Sequence, residues 1–142
     1  MEVQLRDGKR VRVLMAILGL DQHETGALAV TAMLRDAGME VIYLGRFASP
    51  ESIAEAAFEE SADVVGISCH SWEYLHYLDD LLRSLERSGE RIPLMIGGSV
   101  ISRSDKARRL EKGVAAVFGA GASGGDIVAT VRQLAAAAEC AP

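Results

Sequence analysis

Several things are scarce in this sequence, and each scarcity removes a class of function. Only two cysteines occur, Cys69 and Cys140. They stand far apart, one at an expected strand end and one in the tail, which argues against a disulfide framework and fits a reducing cytoplasm. No apolar stretch approaches the roughly 20 residues that a membrane span requires. The N-terminus lacks the charged, apolar, then small-residue order of a signal peptide. Basic charge is also short: 15 Lys and Arg against 20 Asp and Glu leave a net charge of −5. Neutralising phosphates needs a basic surface, so neither nucleic acid nor membrane is an expected partner. The run Lys9-Arg10-Val11-Arg12 is offset by Glu2 and Asp7 and reads as a solvated lead-in.

What remains is ordinary globular material. Of 142 residues, 49% are hydrophobic and 25% charged, which suits one domain spanning 1–142 with a core of about 11–137. Short β-branched runs alternate with longer helical ones. Val11 to Leu18 is apolar apart from Arg12, as expected of a strand covered on both faces of a parallel sheet. A helix should follow from about Thr25 to Ala37, with Ala27, Val30, Leu34 and Ala37 inward and Gly38 as its left-handed stop. Glu40 to Leu44 reads as the second strand. Ser49 as N-cap and Pro50 at the first helical position open the next helix, with Ile53, Ala56 and Ala57 inward.

Asp63 to Ser68 is the third strand. The third helix is expected to bury Leu75, Leu78, Leu82 and Leu85 and to end near Gly89. Pro93 to Ile96 makes a fourth strand, followed by a helix over Asp105 to Lys112 that Gly113 stops. Ala115 to Phe118 is the fifth strand, and Ser123 to Asp126 forms a capping box that opens the last helix, carried by Ile127, Val128, Val131 and Leu134. The Ala-rich tail is expected to fray. Strict alternation predicts an α/β fold: a flavodoxin-like, doubly wound, five-stranded parallel sheet in the order 2-1-3-4-5, with right-handed crossovers.

In such a sheet, ligands bind beyond the carboxyl ends of the strands, at the switch point between strands 1 and 3. The segments there are Gly19 to Gly26, Ser68-Cys69-His70-Ser71, Gly97-Gly98-Ser99 and, after Phe118, Gly119-Ala120-Gly121. Together they offer an imidazole able to bind a metal, a nearby carboxylate, hydroxyls and several residues with little or no side chain. Glycine at a strand end lets a ligand approach the backbone. Gly26 would do the same for a group wedged between the first helix and the fourth strand. Asp21 stands two residues before His23 and could orient its ring through the second nitrogen, the usual arrangement behind a metal-bound histidine.

These residues carry a specific resemblance. Asp21-Gln22-His23-Glu24-Thr25-Gly26 matches the DxHxxG signature of cobalamin-binding domains, Ser68 matches the serine of their SxL element, and Gly97-Gly98 matches their paired glycines. The similarity runs from about Arg12 to Leu134. His70 stands where the SxL leucine is found, and Ile17 where many family mutases carry a lysine. The resemblance implies that His23 is the lower axial ligand of the cobalt and Asp21 the hydrogen-bond partner of its ring. It also implies that Ser68 meets the dimethylbenzimidazole of the displaced nucleotide tail, while Gly26, Gly97 and Gly98 line the tail's path.

Gln22, Glu24, Thr25, His70, Ser99, Phe118, Gly119 and Gly121 complete the expected cofactor shell. Neutral imidazole is a good cobalt ligand. His70, Trp72 and Tyr74 open a helix beside the slot and read either as packing or as a cover for the corrin edge.

Among family members, the chain is similar to the cobalamin-binding small subunits of methylmalonyl-CoA mutase-like acyl-CoA mutases. The resemblance implies adenosylcobalamin as cofactor and a separate TIM-barrel subunit that binds acyl-CoA. A corrinoid carrier for methyl transfer and a non-catalytic cobalamin sensor or chaperone stand as alternatives, and homo-oligomerisation is left open. A phospho-receiver is excluded, because Ser68 stands where its aspartate would be and Gly119 where its lysine would be.

Overall fold

The computed structural model describes residues 10–18, 25–69, 74–98, 103–119 and 122–140. Its elements in chain order are β1 (Arg12–Leu18), α1 (Thr25–Asp36), β2 (Glu40–Ala48), α2 (Pro50–Glu59), β3 (Val64–Ser68) and α3 (Tyr74–Ser84). They continue with β4 (Glu86–Arg87), β5 (Glu90–Arg91), β6 (Leu94–Gly97), α4 (Arg103–Lys112), β7 (Ala116–Phe118) and α5 (Gly124–Cys140). A five-stranded parallel sheet runs in the order β2-β1-β3-β6-β7. With the small β4–β5 pair set aside, this is the expected 2-1-3-4-5 order.

Side-chain alternation along β1 divides the core. Leu14, Ala16 and Leu18 join one cluster with Ile53 of α2 and Leu78 and Leu81 of α3. Val13 and Met15 point the other way, into a cluster with Leu34 of α1 and Ile127 and Val131 of α5. A period of two with both faces covered explains why nearly every residue of β1 is buried.

Helix ends follow local chemistry. The Ser49 hydroxyl accepts from Ser52 N–H at 3.1 Å while the Ser52 hydroxyl accepts from Ser49 N–H at 2.9 Å, a reciprocal capping box. Three helices stop in the same way. At the end of α1, Met39 N–H donates to Leu34 C=O and Gly38 N–H to Arg35 C=O, with Gly38 at φ +92°. Gly113 does the same for α4 at φ +113°. Ser61 does it for α2 at φ +54°, a left-handed conformation in which a side chain is strained.

The structure corrects four sequence expectations. First, α3 ends at Ser84, and Glu86–Arg87 pairs with Glu90–Arg91 as an antiparallel hairpin. Its two-residue turn, Ser88-Gly89, holds φ of +52° and +82°, which matches the strand twist, so Gly89 serves a hairpin and not a helix stop. Second, the inward stripe of α3 is Tyr74, Leu78 and Leu81, with Leu85 just beyond it; Leu82 is partly buried and Leu75 exposed. Third, Thr31 occupies a buried place on α1 while Val30 is only half-buried. Fourth, α5 stays helical to Cys140.

Candidate functional site: a cleft at the carboxyl edge of the sheet

Strand register gathers the site. Ile17 of β1 pairs with Ser68 of β3, Ser68 with Gly97 of β6, and Gly97 with Phe118 of β7. Four positions separated by up to a hundred residues therefore form one row at the carboxyl edge. Above this row, on the face covered by α1 and α5, lies a cleft of about 160 Å³. Gly26 at the start of α1, Ser68, Gly97, Gly98, Phe118 and Gly119 all line it. The structure thus brings together six of the expected site residues. Thr25, also expected there, is exposed and is not among the lining residues. Asp21, Gln22, His23, Glu24, His70, Ser99 and Gly121 lie outside the described residues.

The floor was not foreseen. Met15 and Met95, on the strands either side of β3, converge above Gly66. A methyl group built on Gly66 would stand 2.5 Å from the Met15 sulfur and 2.8 Å from the Met95 methyl. The two thioethers therefore occupy the space that a side chain at 66 would have taken. A glycine inside an otherwise β-branched strand was the available sign, since such a residue marks close approach of a neighbour or a ligand. Val30 and Ile127 add apolar walls from α1 and α5.

The rim is fixed by backbone contact. Gly98 holds φ +154°, and a Cβ there would sit 1.6 Å from the carbonyl oxygen of Cys69. Cys69 N–H donates to Gly97 C=O at 2.7 Å, and Gly98 N–H donates to Phe118 C=O at 3.2 Å. The paired glycines thus tie the ends of β3, β6 and β7 together, and at Gly98 no side chain fits.

Among the described residues, the cleft is lined by apolar groups: Ser68, 8% exposed, supplies the only polar side chain of the described lining, and none of that lining is charged. Pockets that enclose a whole drug-sized ligand run to about 300–1,000 Å³. A cleft of about 160 Å³ suits one inserted arm of a larger molecule whose bulk stays outside. An aromatic heterocycle, flanked by methionine sulfur and able to reach one hydroxyl, fits that lining. Among the described residues, no group of three or more His, Cys, Asp or Glu side chains could hold a metal.

A doubly wound sheet with a ligand cleft at its switch point defines the class: a ligand-binding domain of the flavodoxin-like kind. The B12 binding domain model matches residues 11–129, and the chain belongs to that family. It is 35% identical to the small subunit of 2-hydroxyisobutanoyl-CoA mutase from Aquincola tertiaricarbonis over 92% of this chain and 96% of that one. It is likewise 35% identical to the small subunit of pivalyl-CoA mutase from Xanthobacter autotrophicus, over 87% of this chain and 83% of the relative. Among solved structures, a cobalamin-binding protein from Desulfitobacterium hafniense superposes with a TM-score of 0.75 at 22% identity. That match covers 89% of this chain and 60% of the other, and it shows the shared fold.

Proposed function

We propose that this chain is the cobalamin-carrying small subunit of an adenosylcobalamin-dependent acyl-CoA mutase that acts with a separate catalytic subunit. The carrying observation is the cleft itself. It is a slot at the sheet's carboxyl edge, floored by methionines over Gly66, whose described lining is apolar but for the Ser68 hydroxyl. Gly26, three residues after His23 in the sequence, is among its lining residues. In this reading the nucleotide tail enters the cleft beside Ser68, and Gly97 and Gly98 let it pass close to the backbone. His23 would hold the cobalt through its imidazole, and Asp21 would fix the ring tautomer through its far nitrogen.

When bound, the cofactor supplies a carbon radical by cleavage of its cobalt–carbon bond. The chain's own contribution would be placement, with Ser68, Gly97 and Gly98 holding the tail in the cleft. A radical needs a chamber closed to water; the relatives named as small subunits support a separate partner that supplies it, for which we infer a TIM barrel that binds the acyl-CoA. Relatives named for branched acyl groups support a 1,2-rearrangement of a branched acyl-CoA as the reaction.

Absorbance spectra of the protein loaded with hydroxocobalamin test the first part. The expected form has the dimethylbenzimidazole off and histidine on cobalt, and His23→Ala should lose it. An unchanged spectrum in the variant would reject the axial assignment. Acyl-CoA rearrangement by the protein loaded instead with adenosylcobalamin should then appear only on adding a barrel subunit. Turnover by the small chain alone would refute the division of labour.

A further inference from the structure

The cleft is bounded below by two rows of strand residues, and the rows differ in chemistry. Side chains alternate across a strand, so Ser68 and Gly66 of β3 face the same side, roughly 6.6 Å apart along the strand. Register places Ser68 beside Gly97 at the carboxyl edge, and Gly66 between Met15 and Met95 one row further in. The next row inward, Val13 beside Val64, is buried and is not among the lining residues. The Met15–Gly66–Met95 row is therefore the inner end of the slot.

Hydrogen-bonding capacity is concentrated in the outer row, where the Ser68 hydroxyl stands. At the inner row the side chains are two thioethers, whose sulfur is a weak acceptor and no donor. The backbone of Gly66 lies in a strand paired on both sides, so its N–H and C=O are directed along the sheet at β1 and β6. Met15 and Met95 are 3% and 4% exposed, so a group that reaches them has left bulk water. A ring edge of C–H and methyl groups gains from that exchange. An edge bearing an amine or ring nitrogens loses its hydrogen bonds to water and finds no replacement among the described residues.

We propose that the Met15–Gly66–Met95 row selects the base of the cofactor's nucleotide tail, favouring dimethylbenzimidazole over adenine. The proposal rests on the tail occupying this cleft, and it names the residues that read the base. Both bases are joined to their ribose through the five-membered ring, so the six-membered ring leads inward. In dimethylbenzimidazole that ring carries two methyl groups and no heteroatom. In adenine it holds two ring nitrogens and carries an amine. The free nitrogen of the five-membered ring is common to both and would stay at the Ser68 row, so the hydroxyl does not discriminate between them.

Absorbance titrations of the full chain test this with three probes in their adenosyl forms: cobalamin, its adenine-tailed analogue, and cobinamide, which has no tail. Each tailed cofactor must first detach its base from cobalt. That cost is obtained from acid titrations of the free cofactor and of its base, and is subtracted. The corrected affinity should then be at least about tenfold tighter for the dimethylbenzimidazole form, as expected when even one polar group is buried without a partner. Met95→Gln supplies an amide of similar length that donates and accepts. It should cut the preference severalfold, whereas Met95→Leu should keep it. Should Met95→Gln fail to fold by circular dichroism, Met15→Gln makes the same test from the other side of Gly66. Equal corrected affinities for the two tailed forms, both well above cobinamide, would overturn the selection and leave the tail in the cleft. Equal affinities for all three probes would remove the tail from the cleft and the proposal with it. A folded Gln variant with the full preference would show that the base is read elsewhere.

Discussion

Adding one methyl group at Gly66 separates the cleft from the fold. Gly66 lies in the middle of β3 in ordinary strand geometry, so alanine meets no backbone objection and gains about 0.5–1 kcal/mol from lower chain entropy. Against this stands overpacking, because the new Cβ would lie 2.5 Å and 2.8 Å from the ends of Met15 and Met95. Those are the far ends of flexible side chains, which swing aside at a cost of about 1–3 kcal/mol in a tight core. The net change in folding stability should stay within about 2 kcal/mol, small beside the 5–15 kcal/mol typical of such domains.

Binding feels the change differently, because the displaced methionine ends have the cleft as their outlet. A methyl takes about the volume of one water, roughly 30 Å³, or about a fifth of the cleft's 160 Å³. If the inserted arm must then compress the same 1–3 kcal/mol of packing, affinity falls about 5- to 150-fold. Urea unfolding followed by circular dichroism would measure the first quantity, and absorbance titration with hydroxocobalamin the second. Gly66→Ala with wild-type affinity and an intact fold would refute the assignment of this cleft to the tail.

Gly98→Ala should behave in the opposite way, because its Cβ would meet the Cys69 carbonyl at 1.6 Å and nothing flexible can yield. Backbone strain and the two weakened strand-end hydrogen bonds predict a loss of about 3–5 kcal/mol in urea unfolding, and a loss under 1 kcal/mol would contradict the tight rim. Ser61→Gly should stabilise the protein by about 1 kcal/mol in the same assay, by relieving the left-handed residue at φ +54° after α2, and no gain would show that this residue is unstrained. Arg12 is held above its ordinary pKa by its bond to Glu40. A raised cationic pKa stabilises at every pH below the ordinary guanidinium range, so Arg12→Met should cost about the same at pH 6 and pH 9. The pair is partly exposed, so that cost should be at most about 1 kcal/mol and should shrink in concentrated salt. A cost that changes sharply across that range would contradict the pairing.

Much of this was legible in the chain because it rests on short-range rules. The β1 run, apolar after Arg12, the Ser49-Pro50 helix start and the stops at Gly38 and Gly113 each have local causes, and the alternation of elements points to the sheet order. The Gly97-Gly98 pair was also readable, since a closing strand end has few other uses for two glycines. What escaped depends on contacts between distant segments. The Met15–Gly66–Met95 floor arises from register across three strands, which no single stretch encodes. The β4–β5 hairpin was hidden because Leu82 and Leu85 continue a helical spacing past the point where Ser88-Gly89 reverses the chain. Two of the four α3 stripe positions, Leu75 and Leu82, were misjudged by one residue: Tyr74, read either as packing or as a cover for the corrin edge, is the first buried residue of that helix.

That hairpin has a practical corollary. It leaves the lower end of α3 just before β6 begins, at the pole of the sheet away from the cleft, and its four strand residues and its turn are exposed. A fluorophore, an affinity handle or a flexible tether attached at Ser88 would trail into solvent on the far side from the loading mouth. The molecule thus has a natural grip by which it can be held or watched while its working end stays clear.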